Sequence, residues 1–201
     1  MKVTQREHRY GVQSRTADLG SFYRSMFKDH ALCRATGAQA DGCENAVAMT
    51  SWRFTFDENL YDAMGLKRPT SASCSIEMTL PEWKNGKAAK RSQREEVGRF
   101  VAATTTHERG HGVACKSLSD IASRLALHLP AKVPASAAGS MNAAFKQFVE
   151  GFYMKLARRA DGLFDTYTGH GGKYGAELAA TLKPFGLGDL SVHFEKTAHQ
   201  L

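Results

Sequence analysis

The stretch VGRFVAATTTHERGHGVACKSLSDIASRL, residues 97–125, decides how this chain reads, because it carries an apolar stripe at helical spacing and a chemical motif together. Val97, Phe100, Val101, Ala114, Leu118, Ile121, Ala122 and Leu125 recur with the period of an α-helix. On such a helix His107 and His111 stand one turn apart on one face, where two ring nitrogens can share a tetrahedral metal, and zinc suits that ligand set. Glu108 is turned about 100° from His107, too far for a natural third ligand, yet near enough to take a proton from a water at the ion. The competing reading is a solvated helix face, since charged residues four apart are usually surface. Both histidines continue the apolar stripe, so that reading leaves two inward imidazoles without partners, which is costly.

Composition sets the frame. With 201 residues, of which 42% are hydrophobic, the chain is long enough for one globular domain with a proper core. No run reaches the roughly eighteen apolar residues that cross a bilayer. The opening MKVTQREHRYGVQ is polar and charged, so the chain as given begins without a signal peptide; it fits an intracellular protein or a mature secreted form. Lys and Arg number 27 against 20 Asp and Glu, a net charge of +7. The basic residues are dispersed, and the densest run, Lys84 to Arg99, includes Glu95 and Glu96 and has no interleaved aromatics, which reads as a solvated face rather than a nucleic-acid patch. The four cysteines form no CxxC pair. Cys33 and Cys43 bracket a small-residue loop that a disulfide would close in an oxidising compartment. Cys74 reads as a core residue on a strand, and Cys115 as a small core residue on the motif helix or, failing that, a thiolate near the metal.

Along the chain, residues 7–13 read as a short strand and Thr16 to Asp29 as a helix capped by Thr16, with Leu19, Phe22, Tyr23, Met26 and Phe27 on one face. From Ala46 to Asp57 the period falls to two, with Trp52, Phe54 and Phe56 on one side. Cys74, Ile76, Met78 and Leu80 repeat that alternation, and Pro81 is expected to end the strand. The pattern then becomes helical, from Ser92 to His128 and from Ala137 to Phe164, the second face carrying Met141, Phe145, Phe148, Val149, Phe152 and Leu156. A short Pro, Ala and Ser connection makes the two helices antiparallel. The expected architecture is a single α+β domain over 1–201, zincin-like: a small antiparallel sheet from a strand-rich part, 1–83, packed on two long antiparallel helices in a helical part, 84–201, that holds the metal site.

A catalytic zinc needs a third ligand and an open position. The extended pattern with Gly and His beyond the motif is excluded, because those positions hold Ala114 and Ser117. Glu150 is the one acidic residue in the middle of the second helix and is one alternative. His170 is the favoured one: it lies between Gly169 and Gly171 in a loop expected to begin where the returning helix ends. Asp165 is a further alternative, or else a carboxylate fixing a ligand tautomer, with Thr168 as a local brace.

Four features resemble a known family, the predicted zinc-dependent bacterial proteases of DUF922. They are Tyr10-Gly11-Val12, Ala48-Met49-Thr50-Ser51-Trp52, Leu80-Pro81-Glu82-Trp83, and the HExxH helix followed by Phe164-Asp165-Thr166-Tyr167-Thr168-Gly169-His170-Gly171. The family's last element begins with Tyr where this chain has Phe164. The resemblance implies a secreted or envelope location.

The expected activity is a zinc metallopeptidase acting on a peptide or protein substrate. His107, His111 and His170 hold Zn²⁺, Glu108 is the general base, and Tyr167 or Tyr174 stabilises the oxyanion. The strand Cys74 to Leu80 is expected to be the edge on which substrate pairs. The alternatives are another zinc hydrolase acting on cell-wall peptides or amides, and a metal-binding domain without catalysis in which Cys115 closes the site.

Overall fold

The computed structural model describes residues 2–37 and 43–169, with the side chains of Asp29, Asn45, Leu163 and residues 165–169 excepted. The element order is β1 (Lys2–Val12), α1 (Leu19–Phe27), α2 (Ala31–Thr36), β2 (Met49–Phe56), β3 (Ala72–Trp83), α3 (Arg91–His128), α4 (Ala135–Lys146), a π-helical stretch (Gln147–Tyr153) and α5 (Met154–Gly169). The fold is α+β, as the pattern predicts.

The three strands form one sheet in the order β1-β3-β2. Asp57 N–H donates to Ser71 O at 2.8 Å and Thr55 meets Ser73 at 2.6 Å, so β2 and β3 run antiparallel. Thr4 bonds to Cys74 O and Lys84 N–H to Val12 O, so β1 and β3 rise together and are parallel. The sheet is therefore mixed, not antiparallel throughout, and β3 is its central strand. That corrects the expectation that Cys74 to Leu80 is a docking edge, because both sides of β3 are already paired. Pro81 does not end β3 either; it sits two residues from the strand's end, where a missing N–H removes little of the ladder.

Two compact units share the described residues, and the chain passes between them repeatedly. Residues 5–37, 43–51 and 77–110 make one. Its core gathers Tyr10, Val12, Phe22, Met26, Leu32, Cys43 and Val97, with Trp83 and Phe100 packed against it. The buried Tyr10 hydroxyl donates to Val47 O at 2.6 Å, and burial holds the phenol well above its ordinary pKa. Helix α1 begins two residues later than Thr16 predicts: Asp18 is the N-cap, accepting from Ser21 N–H at 2.8 Å, while Thr16 braces that carboxylate. Cys33 and Cys43 are disulfide-bonded, as their spacing suggested.

The second unit holds residues 2–4, 52–76 and 111–169. Ala114, Cys115, Leu118, Ala122 and Ala126 form the buried stripe of α3, and Ala157, Ala160 and Phe164 that of α5. Cys74 and Cys115 form a second disulfide, which corrects their reading as separate core residues and removes Cys115 as a thiolate ligand. Lys67 closes the C-terminal end of α3 by donating to Ala126 O and Leu129 O. Gly65, at φ 75° with an added Cβ only 2.1 Å from Val133 O, lets the 62–66 turn pair with the helix connection. The single helix expected from Ala137 to Phe164 has a π-helical stretch at its centre. The extra residue in that wide turn rotates the stripe, so Val149 and Leu156 stay buried while Phe148 and Phe152 are each 41% exposed.

Candidate metal centre

Helix α3 runs unbroken from Arg91 to His128 and contains the whole His107 to His111 motif, so its own geometry sets the two imidazoles on one face. Both are partly buried, and Glu108 between them is only 5% exposed. Glu108 is therefore not a solvated carboxylate. Thr50, on β2, donates its hydroxyl to Glu108 Oε2 at 2.7 Å and lies 3.0 Å from the Glu108 carbonyl oxygen. A donor at that distance steadies the ionised carboxylate and fixes its rotamer. Arg109, the next residue, faces outward and donates to Glu7 Oε1 at 3.0 Å; this bond is the first cause holding the Glu7 carboxyl below its ordinary pKa.

His111 is held from another direction. Its Nδ1 lies 2.8 Å from Asp161 Oδ1, and the other carboxylate oxygen accepts from Trp52 Nε1–H at 2.9 Å. Phe164, fully buried, meets the His111 ring edge-on at 5.1 Å between centroids. Helix α5 brings Asp161 and Phe164 here because the chain reverses through the short 129–134 connection and returns antiparallel to α3. The carboxylate favours the tautomer with the proton on Nδ1, which leaves the lone pair on Nε2. Pairing one ring nitrogen with a carboxylate is how proteins orient a histidine toward a metal. The chemistry of His111 with its carboxylate partner thus suits an imidazole that ligates zinc.

Thr50 and Trp52 stand two apart on β2, so one strand face presents both. The Ala-x-Thr-x-Trp spacing thereby acquires a role that sequence reading missed: Thr50 serves Glu108 and Trp52 serves Asp161. Asp161 was missed as well, its place taken in the reading by Asp165 four residues on. Asp161 carries no local mark; its partners are 50 and 109 residues away in sequence.

The expected loop from Phe164 onward is helical through Gly169, so Asp165, Tyr167 and Thr168 lie on the backbone of α5, their side chains outside the described residues. His170 and Tyr174 lie outside the described residues altogether. Glu150 is exposed on the π-helical stretch, where its charge acts on Lys146. Among the described residues no three His, Cys, Asp or Glu side chains are grouped to hold an ion. No helix among them is long and apolar enough to cross a membrane.

Neither the curated proteins nor the solved structures contain a match to this chain. A family model described as "bacterial protein of unknown function (DUF922)" matches residues 28–171, from just after α1 through the motif helix to just beyond α5. That span is 144 of the 201 residues, and the chain belongs to the DUF922 family of bacterial proteins.

Proposed function

We propose that this chain is a zinc-dependent peptidase with a zincin-like site centred on α3. The observation that carries the reading is the Trp52, Asp161, His111 chain of hydrogen bonds, an investment in the orientation of one imidazole of an HExxH motif. His107 and His111 are the ligands, and His170 is proposed as the third. Zinc held there would polarise a scissile carbonyl and make a water acidic enough to attack near neutral pH.

Glu108 accepts the proton of the attacking water and passes it to the leaving amine. Thr50 keeps the carboxylate in the rotamer that faces the reaction, and burial of Glu108 to 5% exposure keeps bulk water from competing for it. Tyr167 or Tyr174 is proposed to stabilise the oxyanion. With β3 paired on both sides, β2, an edge of the sheet among the described residues, becomes the candidate platform for an extended peptide, since Thr50 on it reaches Glu108. Two disulfides suit an oxidising compartment, which supports a secreted or envelope location.

Glu108→Gln tests the reading. Casein or a quenched peptide library should be cleaved by the wild type and left intact by the variant, while bound zinc stays unchanged. Undiminished turnover in the variant would remove Glu108 from the chemistry.

A further inference from the structure

The Leu80-Pro81-Glu82-Trp83 element has no part in the metal centre, yet it frames a cleft of about 480 Å³ against the first turns of α3. Val97, Gly98 and Val101 line the helix side, and Trp83 lines the strand side. The Trp83 N–H points away to the Ser14 hydroxyl at 2.8 Å, so its hydrogen-bonding need is met elsewhere and its ring serves the cleft as an apolar wall. A Cβ built on Gly98 meets nothing within 4 Å, which places open space directly above the helix backbone. The floor is therefore suited to one apolar side chain.

The rim is basic. Arg9, Lys87 and Arg94 stand around it, with Glu82 as the single carboxylate among the described lining residues. Lys84 answers the charge of Glu82, and Glu7 answers Arg9. The Arg94 guanidinium is planted on the carbonyls of Lys87 and Ala89, which fixes its position without neutralising it. Lys87 and Arg94 are left as positive charge beside an apolar slot.

We propose that this cleft docks an extended acidic peptide segment, burying one apolar side chain between Trp83 and Gly98 while flanking carboxylates meet Lys87 and Arg94. An apolar floor with a cationic rim favours that occupant over a neutral peptide, which gains nothing from the rim, and over a sugar, whose hydroxyls the floor cannot satisfy. The docking reading stands apart from the metal reading, since all its residues belong to the unit made of 5–37, 43–51 and 77–110.

Fluorescence anisotropy tests it with the full chain carrying Glu108→Gln, so that no turnover intervenes. The probes are dye-labelled Glu-Asp-Leu-Glu-Asp, the same peptide with Ser for Leu, and Lys-Lys-Leu-Lys-Lys. The first should bind, weaken as salt rises, and be displaced by its unlabelled form but not by an acidic oligosaccharide. Gly98→Leu should fill the slot and weaken binding roughly tenfold, the scale of one buried leucine, while its thermal midpoint stays at or above that of the parent. Lys87→Glu should weaken binding several-fold. Equal binding of the three peptides, a Gly98→Leu variant that binds as the parent does, or displacement by the oligosaccharide alone would overturn the proposal.

Discussion

Asp161→Asn is the sharpest perturbation of the site, because it keeps the volume and changes one hydrogen-bonding valence. The carboxylate accepts twice, from Trp52 Nε1–H at 2.9 Å and from the His111 Nδ1 proton at 2.8 Å. An amide accepts at one end and donates at the other. Trp52 can only donate, so it claims the amide oxygen and leaves the NH₂ facing His111 Nδ1. The ring responds by carrying its proton on Nε2, and the lone pair required by a metal is lost. Oriented the other way, the amide would set a donor against the indole N–H. Either state costs about 10- to 100-fold in zinc affinity, on the order of 1.4 to 2.7 kcal/mol. Competition against a chromophoric chelator near neutral pH measures it. Adding Trp52→Phe should recover part of the loss, since the amide oxygen is then released to accept from His111. A variant that holds zinc within about twofold of the wild type, or a double variant worse than both singles, would refute the orientation argument.

Other outcomes follow from the same geometry. Thr50→Val removes the donor to Glu108 Oε2 but keeps the shape, so the carboxylate loses the bond that fixes its rotamer; kcat/KM should fall about tenfold with bound zinc unchanged, and an unchanged kcat/KM would free Thr50 of that role. Cys74→Ser with Cys115→Ser opens a 41-residue link and should lower stability by about 4 kcal/mol, against about 3 kcal/mol for the 10-residue Cys33–Cys43 link, as read by urea unfolding with the two pairs compared. The reverse ranking would argue against chain entropy as the source.

Periodicity made much of this architecture legible. The apolar stripe from Val97 to Leu125 specified α3 to within one residue at its start, and the alternation around Trp52 and Ile76 located two strands. What escaped were features decided by partners distant in sequence. Parallel pairing of β1 with β3 leaves no local trace, so the central place of β3 was invisible and an edge was assigned to it. Thr16 and Asp18 are both good N-cap types, and only the turn geometry puts the cap at Asp18. A π-helical turn has no mark in the local spacing, so the exposure of Phe148 and Phe152 could not be read from it. At the site, the helix alone disclosed His107, Glu108 and His111, whereas Thr50, Trp52 and Asp161 required the fold. Their residue types were conspicuous; their pairing was not.

The proposed function stands or falls on whether the motif on α3 holds a zinc ion. Metal analysis of the full chain, purified without added metal and set beside His107→Ala and His111→Ala, addresses it most directly. Zinc is expected at about one ion per wild-type chain, lost from both variants while they remain folded by circular dichroism. Wild-type protein that takes up no zinc even from excess, or variants that retain it in full, would rule out His107 and His111 as zinc ligands.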